Sequence, residues 1–205
     1  SSRASRNALR MPSAAPGVTI SNRHVPYPLL GVIAPWNFPL LLALIDAIPA
    51  LLAGCAALIK PSEITPMSAS LLAEVCISIG LPAGVLNIIH GLGETVGRAL
   101  VEHPDVQAIS FTGSTRVGHA IALECAKTFK KVTLEMGGKN PAIIFADAPP
   151  HNLIANIARL GFQNSGQICL CGSRLLVQAS CYESFKADFL RHIETLSVGD
   201  PKDAS

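Results

Sequence analysis

Short apolar runs alternate with amphipathic helical patterns along this 205-residue chain, and this alternation constrains the fold more than any other feature. Near-continuous apolar runs are typical of strands that are buried on both faces of a parallel sheet. The pattern therefore predicts a mostly parallel α/β sheet with helices on both faces, and a second, smaller α/β unit that starts near residue 137. The predicted strands are 29–34, 56–59, 85–89, 108–112, 132–136, 143–145 and 175–177.

Composition excludes several classes of function. The formal net charge is +2 without a basic stripe, which gives no basis for nucleic-acid binding. The six cysteines are scattered and the six histidines form no metal-ligand spacing, so we expect a reducing, cytoplasmic compartment and no metal. Residues 39–60 are apolar, but Asp46 and Pro49 interrupt them, so we predict a buried helix and strand rather than a membrane span.

One cysteine lies in a polar loop. Cys169 is preceded by the sequence Asn-Ser-Gly-Gln-Ile, with a helical pattern before the loop and an apolar strand pattern after it. A structural cysteine usually lies within an apolar run, whereas a nucleophile lies on a polar loop that a substrate can reach. We therefore predict a reactive thiol at Cys169, and the alternative is a loop cysteine without a function. If the segment is extended, Cys171 faces the opposite way.

Polar residues follow two of the predicted strands. Asn37 lies between two aromatic residues after strand 29–34, where open parallel sheets bind ligands, although the flanking prolines also fit a rigid turn. Lys60 and Glu63 follow the next strand. An ammonium and a carboxylate here would bind a phosphate or hydroxyl group and ribose hydroxyls, respectively, and the alternative is a solvated surface pair.

Two glycine-containing turns are candidate phosphate sites. Residues 113–115 connect a strand to a helix, and the unpaired N–H groups at a helix N-terminus bind anions. Residues 91–97 have the spacing G-x-G-x-x-x-G, one residue longer than the dinucleotide fingerprint, so their signal is weak.

Five motifs in order give the chain a family resemblance. The segments GVIAPWNFPL, LIKPSE, ISFTGSTRVG, TLEMGGKNPAIIF and FQNSGQICLCGSR are similar to those of the NAD(P)-dependent aldehyde dehydrogenase superfamily, and the resemblance extends from about residue 25 to residue 201. It implies a Rossmann-like NAD-binding domain at 25–137, after an irregular lead-in at 1–24. It also implies a partial catalytic domain at 138–205, because members of the family are much longer than this chain.

The resemblance implies a covalent mechanism in which NAD accepts a hydride and an aldehyde becomes a carboxylic acid. Cys169 matches the nucleophile, Glu135 matches the base that activates water against the thioester, and Asn37 matches the amide that stabilises the oxyanion. The implied cofactor-binding residues are Trp36, Asn37, Lys60, Glu63, Gly93, Gly97, Thr112, Gly113, Ser114, Val117, Met136 and Gly137.

The expected partner is a small aldehyde, with NAD preferred over NADP because a 2′-phosphate would meet the carboxylate of Glu63. Full-length members of the family are expected to form homo-oligomers. The sequences ICLC and GKNPAIIF resemble those of 2-aminomuconic and 2-hydroxymuconic semialdehyde dehydrogenases, which is a narrower alternative. A different class is an inactive fragment that only binds nucleotide or a protein partner. We expect the chain alone to be a poor enzyme.

Overall fold

The computed structural model describes residues 8–11 and 15–202, and it divides between Glu135 and Met136 into two compact units. Strands β1 (Ala8–Met11) and β2 (Ile20–Arg23) of the first unit form an antiparallel ribbon. The prediction of an irregular lead-in is therefore wrong for these strands, while its residues 1–7 and 12–14 lie outside the described residues. The ribbon carries no apolar alternation in sequence because β2 is exposed along its whole length.

A five-stranded sheet forms the centre of the first unit. Its strands are β3 (Leu29–Ile33), β4 (Ala56–Lys60), β5 (Leu86–Ile88), β6 (Ala108–Gly113) and β7 (Lys131–Met136), in the order β5-β4-β3-β6-β7. The pairs β3–β4, β3–β6 and β4–β5 are parallel. This order is that of a doubly wound nucleotide-binding fold, so the predicted α/β class is confirmed. The strand order reverses between β3 and β6, which is where such sheets bind ligands.

Helices cover both faces of this sheet. The helices α1 (Leu41–Ala53) and α2 (Pro66–Ser78) pack on one face, where Val32 and Ile59 are buried. The helices α3 (Arg98–Glu102) and α4 (Thr115–Lys127) pack on the other face, against Ile109 and Phe111. Full burial of each such side chain contributes about 1.5–3 kcal/mol to the free energy of unfolding. Within residues 8–11 and 15–202, no helix combines the length and the apolar character that crossing a membrane requires.

The buried face of α2 differs from the face that the sequence predicts. The sequence spacing of Leu71, Leu72, Val75 and Ile79 predicts that they share one apolar face of a helix. Only Leu72 of these is buried, and Ile79 is 74% exposed. Neighbouring helical residues point about 100° apart, so Leu71 and Leu72 cannot both face the sheet. The small side chain of Ala69 completes the contact with the sheet instead.

The second unit holds two parallel strands and two helices. Strand β8 (Asn140–Ile144) pairs with β9 (Gly172–Val177). Helix α5 (Leu153–Phe162) lies between these strands in the chain, and α6 (Tyr182–Ile193) follows β9. The strand predicted at 143–145 begins at Asn140 and ends at Ile144 in the structure. It can begin before Pro141 because a proline is tolerated in an edge strand, here beside an irregularity in the register. Ala142 and Ile144 are buried with Phe185 of α6, while Ile143 between them is 60% exposed.

Candidate functional site

A cleft of about 1000 Å³ lies at the carboxyl ends of β3, β4 and β6, where the strand order reverses. The helices α3 and α4 border it. Most of the residues predicted to bind the cofactor line this one space, although they come from four separate stretches of the chain. They are Trp36, Lys60, Glu63, Gly93, Gly97, Thr112, Gly113, Ser114 and Val117.

An ion pair between Lys60 and Glu63 lies at the end of β4 and lines the cleft. Lys60 is only 2% exposed, and its Nζ atom donates to the Pro61 carbonyl oxygen at 2.8 Å and to Glu63 Oε2 at 3.1 Å. The Glu63 side chain is 47% exposed. The backbone N–H of Glu63, followed by the Lys60 ammonium, lowers the pKa of the Glu63 carboxyl by hydrogen bonding to its charged form. The burial of Lys60 excludes the alternative of a solvated surface pair.

The turn between β6 and α4 offers an anion site. Ser114 caps α4, and its Oγ atom accepts a hydrogen bond from the backbone N–H of Val117 at 3.4 Å. The other N–H groups in the first turn of an α-helix have no intrahelical acceptor and carry the positive end of the helix dipole. Gly113 keeps this turn tight, since a Cβ atom there would lie 2.5 Å from Cζ of the Phe111 ring.

The second glycine-containing turn uses three of its backbone donors internally. Residues Gly93–Gly97 form a single π-helical turn that leads into α3. The N–H groups of Thr95, Val96 and Gly97 all point to the carbonyl oxygen of Leu92, at 3.3, 3.0 and 3.3 Å. These donors are therefore used within the turn, which agrees with the weak match of its spacing to the dinucleotide fingerprint.

Two arginines in the cleft were not predicted. Arg98 begins α3 and Arg116 lies in the first turn of α4, and both line the cleft together with the buried Ser62. Arg98 directly follows Gly97 and Arg116 directly precedes Val117, and this adjacency to predicted cofactor-binding residues is the signal that could have identified them. Their guanidinium groups bring positive charge to a lining that also contains Glu94, Glu102 and Glu124.

Three predicted cofactor-binding residues do not line this cleft: Asn37, Met136 and Gly137. Asn37 is half-buried in the turn between β3 and α1, and Glu135 is exposed near the end of β7. Their proposed contacts with cofactor or substrate therefore stay predictions.

Cys169 occupies a tight turn in the second unit. The N–H of Cys171 donates to the Ile168 carbonyl oxygen at 3.1 Å, so this segment is a turn rather than the extended chain considered above. Of the six cysteines, all within the described residues, Cys169 alone is exposed, while Cys171 is buried. The opposite exposure of the two thiols thus arises from the turn and not from strand alternation.

The backbone before this turn is unusual. Asn164, Ser165 and Gly166 adopt positive φ angles of 51°, 55° and 75°, a backbone region that residues other than glycine rarely occupy. A side-chain hydrogen bond that the sequence did not predict reaches the turn itself: Asn140 Nδ2 donates to the Cys169 carbonyl oxygen at 2.5 Å. The position of Asn140, directly before a proline at the start of a strand, was the available signal.

Comparisons with known proteins agree with the motifs. The family model described as "Aldehyde dehydrogenase family" matches residues 2–205. The chain is 48% identical to a phenylacetaldehyde dehydrogenase of Pseudomonas fluorescens over 80% of its own length and 32% of the relative's. It is 44% identical to a 2-hydroxymuconic semialdehyde dehydrogenase of Pseudomonas putida over 87% of its length and 37% of the relative's.

A solved aldehyde dehydrogenase from Brucella melitensis biovar abortus 2308 superposes with a TM-score of 0.94 at 34% identity. That match covers 98% of this chain and 42% of the solved one, so the chain spans about two fifths of that structure. Because the family model, the relatives and the fold all agree with the five motifs, this chain belongs to the aldehyde dehydrogenase family.

Proposed function

We propose that the first unit binds NAD, and NADP less tightly, and that Cys169 of the second unit is the nucleophile that oxidises an aldehyde to a carboxylic acid. One observation carries the nucleotide part of this proposal. A single cleft at the reversal of strand order gathers nine of the residues that the family resemblance assigns to the cofactor.

The groups in the cleft suit a dinucleotide. The half-exposed carboxylate of Glu63 can accept hydrogen bonds from ribose hydroxyls, and the ammonium of Lys60 lies beside it. The N-terminal turn of α4 suits a pyrophosphate, because its N–H groups and its dipole both favour negative charge. The acceptance of a hydride is the chemistry that bound NAD supplies.

The remaining steps belong to the side chains of this chain. The thiolate of Cys169 adds to the aldehyde carbon, an S–C bond forms, and the carbonyl oxygen becomes an alkoxide. The backbone N–H of Cys169 and the amide of Asn37 are the proposed donors to this oxyanion. After oxidation the acyl group is a thioester on Cys169. Glu135 takes a proton from the water that cleaves it, and the thiolate is the leaving group.

The identity of the aldehyde is a separate proposal with two candidates. The match to a 2-hydroxymuconic semialdehyde dehydrogenase favours an unsaturated semialdehyde, as ICLC and GKNPAIIF suggest. The match to a phenylacetaldehyde dehydrogenase favours an arylacetaldehyde. The competing class is a fragment that binds nucleotide or a protein without catalysis.

In isolation the chain should bind NAD and turn over little substrate. In the second unit, one face of the β8–β9 sheet carries exposed Ile143, Phe145 and Leu176, and such an apolar face favours association. The chemistry also tolerates little misplacement, since about 1 Å costs on the order of 100-fold in rate.

The test has two parts. Calorimetric titration of the chain with NAD should show binding, and the absence of binding by either dinucleotide would refute the assignment of the cleft. Turnover is measured in a chimera that places this chain between the flanking segments of the Pseudomonas fluorescens relative. NADH should form from phenylacetaldehyde or 2-hydroxymuconic semialdehyde, and Cys169→Ala should abolish it. Cys181→Ala is the matched control, and loss of NADH there instead would contradict the proposal.

A further inference from the structure

We propose that Asn140 is a positioning residue for Cys169, and that it acts through the main-chain carbonyl of the nucleophile. The inference rests on the proposed function, because it assigns a task to a neighbour of the proposed nucleophile. It goes beyond that function by giving a role to a residue to which the family resemblance assigned none.

The geometry of β8 carries the inference. Asn140 is the first residue of β8 and is paired in register with Gly172 of β9, just after the turn that holds Cys169. Its Nδ2 atom donates to the Cys169 carbonyl oxygen at 2.5 Å, between residues that are 29 positions apart in sequence. The preceding carbonyl, that of Lys139, accepts from Arg174 Nε of β9 at 3.0 Å. Two side chains therefore connect the start of β8 to β9 and to the turn before it.

Local backbone hydrogen bonds shape the turn and the residues before it. The Cys171 N–H donates to the Ile168 carbonyl oxygen, and the Gln167 N–H donates to the Asn164 carbonyl oxygen at 3.0 Å. The residues that lead into it, 164–166, have positive φ angles that are rarely populated, so they need support from elsewhere in the fold.

Fixing the carbonyl of Cys169 constrains two groups that the chemistry uses. The backbone nitrogen of Cys169 is bonded to the same Cα atom as this carbonyl, and the thiol is joined to that Cα through Cβ. If the amide of Asn140 sets the orientation of the carbonyl, it limits the directions in which the thiol and the N–H can point. A donor to an oxyanion acts only when it is aligned, and removal of one such donor costs about 10²–10³-fold in rate.

The test compares two reagents on the chain itself. With p-nitrophenyl acetate, the Cys169 thiol loses its proton to solvent and the resulting thiolate attacks the ester carbon. An S–C bond forms, and p-nitrophenolate leaves after an oxyanion intermediate. With iodoacetamide, the same thiolate displaces iodide and no oxyanion develops. The ratio of the acylation rate to the alkylation rate at Cys169 therefore reports alignment of the oxyanion donor, and it cancels changes in thiolate fraction.

Two substitutions remove the donor in different ways. Asn140→Asp keeps the shape and replaces the N–H donor with an acceptor, and Asn140→Leu removes it without adding charge. We expect both to lower the rate ratio about tenfold, which is part of the full cost of a lost oxyanion donor. Asn156→Asp is the matched control, because Asn156 lies exposed on α5 of the same unit.

A spectroscopic measurement reads the hydrogen bond directly. The only cysteine followed by leucine in this chain is Cys169, so labelling with carbonyl-¹³C cysteine and ¹⁵N leucine gives one Cys169–Leu170 cross peak. The ¹³C shift of that carbonyl should move upfield in both Asn140 variants and stay in place in Asn156→Asp. Near-unchanged cross peaks elsewhere from a uniformly ¹⁵N-labelled sample establish that the variants fold.

The outcomes separate this inference from the proposed function. A rate ratio that falls in both Asn140 variants, with the carbonyl shift, supports the positioning role. A ratio within twofold of the unsubstituted chain, or an unmoved carbonyl shift, overturns the role of Asn140 and leaves the nucleophile intact. If the unsubstituted chain is alkylated but never acylated at Cys169, the proposed nucleophile itself fails, and this inference fails with it.

Discussion

The ion pair between Lys60 and Glu63 leads to an asymmetric prediction about stability. The Lys60 side chain is 3% exposed, whereas that of Glu63 is 47% exposed. Glu63→Leu would leave the buried Lys60 ammonium with the Pro61 carbonyl oxygen, 2.8 Å away, and without its carboxylate partner. Lys60→Met would leave a carboxylate that solvent already reaches. We therefore expect the substitution at Glu63 to lower the free energy of unfolding more than the substitution at Lys60.

The magnitude follows from the burial of each partner. Breaking a fully buried pair costs about 3–5 kcal/mol, mostly because one charge is left without its partner. Solvent screens the half-exposed Glu63, so we expect about 1–2 kcal/mol for Glu63→Leu. For Lys60→Met we expect about 0–1 kcal/mol, because the relief of desolvation offsets the lost hydrogen bonds. Glu63→Gln is the control: it keeps an acceptor oxygen and should cost less than about 1 kcal/mol.

Acid should reduce the stability that the Glu63 carboxylate contributes to the fold. The pKa of the Glu63 carboxyl is lower in the folded chain than its ordinary value of 4.5. Such a carboxyl stabilises the fold above its unfolded pKa, and the contribution is lost as the pH falls through the folded pKa. The gap in stability between the unsubstituted chain and Glu63→Leu should therefore narrow as the pH falls below 4.5.

Urea unfolding measures these energies through the fluorescence of Trp36, the single tryptophan, which lies in the same unit. The double variant Lys60→Met with Glu63→Leu completes the cycle, and we expect a coupling energy of about 1 kcal/mol. A larger loss for Lys60→Met than for Glu63→Leu would refute the reasoning, and so would a double variant whose loss equals the sum of the single losses.

Four other predictions concern the cofactor, the thiol, the base and a tight turn. Calorimetry should show tighter binding of NAD than of NADP, with Glu63→Gln narrowing the gap, because a 2′-phosphate would meet the carboxylate; equal affinities for the unsubstituted chain would contradict this. Iodoacetamide at neutral pH should label Cys169 before the buried Cys171, and peptide mass spectrometry that shows the reverse order would overturn the assignment. In the chimera, Glu135→Gln should keep the first burst of NADH and lose later turnover; loss of the burst would instead make this carboxylate the activator of the thiol. Gly113→Ala should lower the free energy of unfolding by about 1–3 kcal/mol, because its Cβ would lie 2.5 Å from a buried phenylalanine ring; an unchanged urea midpoint would disprove that.

Several features follow from the sequence alone because they depend on local patterns. Apolar runs such as 29–34 and 56–59 indicate strands that are covered on both faces, and the structure places the corresponding strands β3 and β4 side by side in a parallel sheet. A small-residue turn at the end of a strand predicts a ligand site, and Gly113 and Ser114 of the turn predicted at 113–115 do line the cleft. Five motifs in order are sufficient to identify the family, which the comparisons confirm.

Other features depend on contacts between residues that are distant in sequence, and only the tertiary structure decides these. The helical period of α2 is compatible with several buried faces, and packing on the sheet selects the one that contains Ala69. The sequence leaves open whether Lys60 belongs to a surface pair or to a ligand site, and only the folded structure shows that it is buried. The hydrogen bond from Asn140 to the Cys169 carbonyl spans 29 residues, and it exists because the pairing of β8 with β9 brings those segments together. Periodicity sets which residues share a face, but register and packing determine which of them meet.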